Sequence, residues 1–265
     1  MDPVTPSTGW GVLHLYYRVE RNRADREVGA GKHVVEAVEA LEADDHQVLT
    51  VAVLGQKADI GFMALGPDLA RLQRFQQDLL RAPLEPAYSY VSLTELSEYT
   101  STEDDERARL SAEDGLAGEE LESRLASWRE RMAHYQEHRL HPRLPAKNLL
   151  CFYPMSKRRA PGENWYELSY AERKQLMAGH ARVGRAYAGR ILQLITGSTG
   201  IDDWEWGVTL LADDPVALKD IVSEMRFDPV SARYADFGPF VTGLVLPPAV
   251  ACERVGLPVG DGGRA

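Results

Sequence analysis

The chain has 265 residues, of which 44% are hydrophobic and 26% charged, and its formal net charge of −10 argues against general binding to nucleic acid or to an anionic membrane surface. Its two cysteines, Cys151 and Cys252, form no CxxC or CxxCH motif, which argues against a disulfide scaffold, a zinc finger and c-type haem attachment. No apolar run approaches the roughly 18–20 residues of a membrane span, and the first residues lack a signal peptide, so the sequence predicts a cytoplasmic protein.

Hydrophobic periodicity predicts a β-α-β-β-α-β order in the first hundred residues. The predicted strands span 10–19, 46–55, 58–65 and 88–99, and the predicted helices span about 25–42 and 66–80. This order is that of a ferredoxin-like unit, which we place at 9–100.

The region that follows is polar and acidic. Residues 100–118 are rich in acidic residues and contain glycine, which predicts a linker or a mobile segment. A helix is predicted over 119–136, and we assign 101–145 to a linker with one helix. His134 and His138 can share a face of that helix as metal ligands. No HExxH motif or carboxylate partner supports such a site, so we expect these histidines and the nearby His141 to face solvent.

The second half repeats the first pattern. Residues 146–155 predict a strand that Pro154 ends. Ser169 and Glu172 form an S-x-x-E capping box for a helix that continues to about Ala188. The remaining predicted elements are strands at 190–197, 204–212 and 238–246 and a helix at about 215–225. A second ferredoxin-like unit is therefore placed at 146–248, and the two units predict an α+β fold in which both sheets combine into one barrel.

Functional interest centres on residues 151–193, where eight Lys and Arg stand against three Glu in an otherwise acidic protein. A local positive excess of this kind favours a small anionic ligand over a polyanion. His180 lies on the apolar face of the predicted helix, where a histidine is more often a core residue than a ligand. Gly179 and Gly184 nevertheless disfavour a helix, which suggests that something bulky approaches it closely. A flat macrocycle ligated through iron needs such clearance.

For Gln193 and for Tyr153, the sequence allows both a structural and a functional interpretation. Gln193 alternates with isoleucines on a predicted strand, and a buried amide requires a hydrogen-bond partner, either the backbone or a ligand. Tyr153 ends a strand beside Met155 and Lys157. It either marks a strand end before a basic loop or provides an oxidisable phenol next to cations that bind carboxylates.

Six motifs together closely resemble the coproheme decarboxylases of the chlorite dismutase superfamily. They are CFYPMSKRR, NWYEL, GRAY, ITGSTGIDDWEWGV, EMRFDPVSARY and FGPF. The similarity covers most of the chain and is strongest from 139 to 246. The resemblance implies two ferredoxin-like units that form an α+β barrel, typically in a homopentamer.

The same resemblance implies the last step of the coproporphyrin-dependent haem pathway. Iron-coproporphyrin III (coproheme) would lose two propionates as carbon dioxide and yield haem b through a three-propionate intermediate, with hydrogen peroxide as oxidant. Coproheme would thus be both substrate and redox cofactor. A transient contact with coproporphyrin ferrochelatase is a further expectation.

Residue by residue, the resemblance makes His180 the axial iron ligand and Tyr153 the tyrosine whose radical takes hydrogen from a propionate β-carbon. Lys157 would lie beside that propionate. The implied coproheme-binding residues are Arg139, Tyr153, Pro154, Met155, Ser156, Lys157, Gln193 and Ser231. Gln193 stands where chlorite dismutases place an arginine, which argues against chlorite chemistry. Neither His138 nor His141 aligns securely with the distal histidine of some actinobacterial decarboxylases, so the base that activates peroxide is left unassigned.

Two alternatives remain open at the level of sequence. One is a chlorite dismutase-like haem peroxidase, and the other is a non-catalytic haem carrier or sensor that keeps only the proximal histidine. Tyr153 and Lys157 discriminate, because a carrier needs neither.

Overall fold

The computed structural model describes residues 2–260 of the chain. Its strands are β1 (Gly11–Val19), β2 (Gln47–Val53), β3 (Ile60–Gly66), β4 (Leu84–Thr94), β5 (Leu149–Lys157), β6 (Ile191–Gly197), β7 (Trp206–Ala212), β8 (Ala235–Phe237) and β9 (Val241–Val245). Its helices are α1 (Arg21–Ala24), α2 (Lys32–Glu42), α3 (Leu69–Leu79), α4 (Glu103–Ala112), α5 (Gly118–Leu140), α6 (Tyr170–Ala186), α7 (Pro215–Met225), α8 (Pro229–Tyr234) and α9 (Pro248–Arg254). Within this part of the chain, no helix is both long enough and apolar enough to cross a membrane.

The nine strands form one antiparallel sheet that closes on itself. Its order is β7-β6-β4-β1-β3-β2-β9-β5-β8, and a further pairing of β7 with β5 completes an eight-stranded ring, with β8 attached to the end of β5. Each half contributes the same internal order, β4-β1-β3-β2 and β9-β5-β7-β6, which is that of a ferredoxin-like unit. The structure therefore confirms the predicted α+β fold with two ferredoxin-like units and one barrel.

Side chains alternate along each strand between the barrel interior and the outside of the barrel, where each of the two units has its own outer face. Large side chains fill the interior, among them Tyr16, Met63, Tyr90 and Phe152. Helices α2, α3 and α9 cover the outer face of the first unit, where they bury a second apolar cluster. The outer face of the second unit carries a third cluster, together with residues of α7.

Pro154 does not end its strand, contrary to the sequence prediction. It lies inside β5 opposite Gly207 of β7, and the strand continues to Lys157. On the other side of β5, pairing with β9 stops at Phe152 and pairing with β8 starts at Met155. The Pro154 carbonyl accepts from Gly238 on that side, so the missing N–H falls where the ladder is interrupted, and proline is tolerated there.

The segment 100–118, predicted as a linker or mobile segment, contains the ordered helix α4. Thr102 and Asp105 form a reciprocal capping box at its N-terminus. The acidic residues gather in its first turn, where they favour a helix because they complement the positive end of the helix dipole. Arg129 of α5 binds Glu103 at 2.6 Å and ties the two helices together.

His14 is a polar group in the barrel interior and is fully buried. Its Nε2 lies 2.8 Å from Thr209 Oγ1, and its ring stacks on Phe152 with 3.9 Å between centroids. Burial lowers the pKa of His14 to about 3, because a charged imidazolium cannot be solvated there.

The low pKa of His14 predicts a loss of stability in mild acid. An unfolded histidine binds a proton near pH 6.5, whereas the folded one does so only near pH 3, so the unfolded state binds more protons between these values. The free energy of unfolding should fall by roughly 2 kcal/mol from pH 7 to pH 5 through this group alone. Urea denaturation at several pH values measures the slope. His14→Gln should flatten it, and an unchanged slope would contradict the assignment.

Candidate functional site

Helix α6 belongs to the second unit and begins with a capping box. The Ser169 side chain accepts from the Glu172 backbone N–H, while the Glu172 carboxylate accepts from the Ser169 backbone N–H, which confirms the predicted capping box. Leu176 and Met177 pack on a cluster that contains Trp165. No residue of α6 is buried, so its inner face is only partly covered by protein.

Strand register defines the sheet surface that faces α7 and the C-terminal end of α6. Tyr153 of β5, Val208 of β7 and Ile195 of β6 pair in one row across the sheet, and Cys151, Leu210 and Gln193 pair in the next. Alternation puts both rows on the outer face of the barrel, where most of these side chains join the third apolar cluster. These six residues form a largely apolar floor, which we call the β5-β7-β6 floor.

His180 is held by a buried carboxylate. Its Nδ1 lies 2.7 Å from Asp228 Oδ2, and the two side chains are 25% and 6% exposed. Asp228 also caps α8, accepting from the Ser231 backbone N–H. If Asp228 accepts this bond from a neutral His180, Nδ1 carries the hydrogen and the Nε2 lone pair is free for a ligand.

This arrangement fits an iron porphyrin better than a metal ion held by protein alone. Within residues 2–260, no group of three or more His, Cys, Asp or Glu side chains could hold a metal ion. His180 would therefore be a lone protein ligand, and a macrocycle would supply the other donors. A Cβ added at the adjacent Gly179 would meet nothing within 4 Å, so α6 leaves open space there.

Tyr153 is a buried phenol in the β5-β7-β6 floor. Its ring stacks on Phe240 with 4.3 Å between centroids, and Phe237 packs at 5.9 Å. Burial raises the pKa of Tyr153, with Arg226 opposing the shift, so the side chain is neutral at ordinary pH. Among the described residues, its hydroxyl has no hydrogen-bond partner.

Lys157 follows Tyr153 on the same face of β5, and its side chain is buried beside Trp165. Its Nζ lies 4.3 Å from the centroid of the Trp165 ring, a cation–π arrangement. Burial lowers the pKa of Lys157 to about 8, although the charges of Asp228 and Glu205 favour the protonated form. The structure thus places this ammonium within the electrostatic reach of the His180–Asp228 pair.

Gln193 on β6 and Arg139 at the end of α5 both donate to backbone carbonyls. The Gln193 amide donates to the Gly184 carbonyl of α6 at 3.2 Å, so it joins helix to sheet through backbone, one of the two partners that the sequence left open. Arg139, at the end of α5, donates to the carbonyls of Glu95 and Ile195 at 3.3 and 3.4 Å. Its Nε–H is buried without a partner among the described residues.

The other predicted residues divide between the two sides of β5. Met155 is half-buried on the same face as Tyr153, whereas Pro154 and Ser156 alternate to the opposite side. The Ser156 hydroxyl accepts from the Glu205 backbone N–H at 3.2 Å. Ser231 is buried in the first turn of α8 beside Asp228.

Sequence reasoning did not identify Asp228, although the residue lies in a quoted motif. Asp228-Pro229 is a typical helix start, with an N-cap aspartate followed by proline at the first helical position. That pattern predicts a capped helix. It carries no information on a contact with His180, which is 48 residues away in the chain.

Comparison with known proteins identifies the family. The family model described as chlorite dismutase matches residues 27–246. The chain belongs to the chlorite dismutase family. A candidate haem-binding protein of Natronomonas pharaonis is 38% identical over 99% of this chain, and one of Haloarcula marismortui is 37% identical over 96%. The chain spans only 44% and 38% of the lengths of these two relatives.

Solved structures share the fold of this chain. A haem-binding protein from Thermus thermophilus superposes with a TM-score of 0.76 at 35% identity, covering 97% of this chain and all of that one. Chlorite dismutase from Candidatus Nitrospira defluvii, in complex with imidazole, gives a TM-score of 0.70 at 15% identity, covering 95% of this chain and 97% of that one. At that low identity the second likeness concerns the fold alone.

The environment of Lys157 predicts an unusual titration. Its ε-amino group should titrate near pH 8, well below an exposed lysine, because burial penalises the charged form. Asp228→Asn should lower this pKa further, because it removes a negative charge that favours the ammonium. NMR of ¹³Cε-labelled lysine measures both values. Asp236→Asn, which removes a surface partner of Arg158, is the control, and an identical Lys157 pKa in all three proteins would contradict the proximity to Asp228.

Proposed function

We propose that the chain converts coproheme to haem b by peroxide-dependent oxidative decarboxylation of two propionates, through a three-propionate intermediate. The observation that carries the proposal is the presence of two groups in the second ferredoxin-like unit. One is His180, whose Nε2 is freed by the bond from Nδ1 to Asp228, and the other is the neutral, unpartnered phenol of Tyr153. A carrier needs only the first of these groups.

Each protein group has a defined part in this proposal. His180 binds the iron through Nε2, and Asp228 keeps the proton on Nδ1 and strengthens the electron donation of the ring. When bound, the iron porphyrin supplies the oxidising power of peroxide. Tyr153 then loses an electron and its phenolic proton, and the resulting tyrosyl radical takes a hydrogen atom from the propionate β-carbon.

The overall step is balanced with peroxide as the sole oxidant. One propionic acid group and one hydrogen peroxide give one vinyl group, one carbon dioxide and two waters. After the hydrogen atom has been taken, the oxidant removes one further electron from the β-carbon. The bond between the α-carbon and the carboxyl carbon then breaks, and its electron pair forms the vinyl double bond. Burial favours the protonated phenol beforehand, so formation of the tyrosyl radical also releases a proton, which ends in one of the two waters.

Positive charge near the floor suits a substrate with four carboxylates. Arg139 keeps an unpartnered Nε–H, and Lys157, with a pKa of about 8, is mostly protonated at neutral pH. Conversion to haem b removes two of the four carboxylates, so the product loses attraction to these cations. This loss should favour product release.

Relatives support haem binding, and they also support a second candidate function, which is haem binding without decarboxylation. The Thermus thermophilus protein, similar over its whole length, is named for haem binding alone. A haem-binding role without decarboxylation therefore needs only His180 and Asp228. Gln193 in place of an arginine counts against chlorite as substrate. The proposal that coproheme is the substrate also includes a homopentamer, a contact with coproporphyrin ferrochelatase and a cytoplasmic location.

The decisive experiment adds coproheme and titrates hydrogen peroxide, with products followed by mass spectrometry. We expect a three-propionate species and then haem b, with two peroxides consumed per coproheme. Tyr153→Phe should bind coproheme but form no vinyl product, because it lacks the abstractable phenolic hydrogen. Bleaching without decarboxylation in the wild-type protein would leave haem binding as the function, and normal turnover by Tyr153→Phe would exclude its radical role.

Asp228 can be tested against a closely matched position. Asp228→Asn preserves the cap of α8, because asparagine caps a helix as well as aspartate, but it removes the carboxylate from His180. We expect the affinity for coproheme to fall about 10–100-fold. Asp214→Asn changes the equivalent Asp-Pro cap of α7 and should leave the affinity unchanged. Absorbance titrations compare the variants, and His180→Ala should abolish the imidazole-ligated spectrum.

A further inference from the structure

Two imidazoles meet on the surface of α5, outside the site described above. His134 and His138 are exposed, stand one helical turn apart and approach with 3.0 Å between their Nε2 atoms. Their rings are perpendicular, with 4.3 Å between centroids. Both lie within α5, so regular helical backbone fixes the spacing of their Cβ atoms.

The approach of two ring nitrogens has two physical explanations, a shared proton and a shared metal ion. In the first case, one neutral imidazole donates its N–H to the ring-nitrogen lone pair of the other, and the N–H of the second ring stays in solvent. A metal ion uses both lone pairs at once. With metal–nitrogen bonds of about 2.0–2.1 Å, two neighbouring ligands of a tetrahedral ion lie roughly 3.3 Å apart. The observed 3.0 Å is close to that separation, and small rotations of exposed rings cover the difference.

The third nearby histidine is differently placed. His141 Nδ1 lies 2.9 Å from Glu137 Oε1, and its ring packs near Trp10 with 5.2 Å between centroids. No third His, Cys, Asp or Glu completes a metal-binding group with His134 and His138 among the described residues. A metal ion on this pair would keep water in its remaining positions.

Two neutral nitrogen ligands and open water positions determine which ions are suitable. Imidazole suits copper, nickel and zinc, and at a given nitrogen site the affinity for divalent ions peaks at Cu²⁺. Hard cations such as Mg²⁺ and Ca²⁺ require oxygen ligands, which this pair does not offer.

We propose that His134 and His138 form a surface site for one divalent transition-metal ion, with Cu²⁺ bound most tightly and Ni²⁺ and Zn²⁺ more weakly. The site shares no residue with the proposed porphyrin site. It lies on the last turns of α5, immediately before Arg139, whose guanidinium contacts the backbone of β6. A metal ion bridging these two turns would therefore stiffen the helix end that carries Arg139.

Cu²⁺ binding to the full-length protein tests the proposal through equilibrium dialysis and electron paramagnetic resonance. The wild-type protein should bind one Cu²⁺ more per chain than the double variant His134→Ala/His138→Ala, with nitrogen hyperfine structure from two imidazoles. Each single variant should weaken that binding at least about tenfold, because chelation by two ligands is lost. All measurements are made at neutral pH, and the difference between proteins cancels binding elsewhere in the chain.

Two controls make the result specific. His141→Ala removes a histidine from the same helix end but not from the pair, and it should keep both the stoichiometry and the spectrum. His180→Ala excludes the proposed iron ligand as the copper site. Equal copper binding by the wild-type protein and the double variant would overturn the proposal, and so would a loss in His141→Ala as large as that in His138→Ala.

Discussion

Closure of the sheet is the constraint on which the rest of the structure depends. A ferredoxin-like unit on its own leaves two edge strands, and edge strands expose unpaired backbone donors and acceptors. Here β2 of the first unit pairs with β9 of the second, and β6 pairs with β4, so each unit completes the other. Because these seams fix the second sheet on both sides, the β5-β7-β6 floor is held in register from strand to strand.

Local signals were predictable from the sequence, because neighbouring residues determine them. The capping box of Ser169 and Glu172 and the Asp-Pro start of α7 are formed within one helical turn. The strand alternation that places Gln193 on one face with Ile191 and Ile195 depends only on strand identity and on a period of two. The repeated element order then sufficed for the fold class.

Features that depend on distant partners could not be read from the sequence. Asp228 reaches His180 only because α8 folds back beside α6, and Pro154 is accepted inside β5 only because two partner strands leave a gap there. The basic excess of residues 151–193 is another example. Arg158 binds Asp236, Arg159 binds Glu205 and Lys174 binds Asp105, so acidic residues from other segments offset much of that charge. The cations that matter for the site are fewer than the sequence suggests, and Arg139 lies outside the segment.

Helix α6 combines a strong N-terminal cap with the absence of any buried side chain. The cap favours the helix locally, but little apolar burial opposes its separation from the sheet, so its local opening should need less free energy than opening of the strands below. A ligand bound to His180 would add contacts to α6 and raise that opening energy. Amide hydrogens along α6 would thus report occupancy by slower exchange with solvent. The helix that carries His180 is then both the binding element and the segment most ordered by binding.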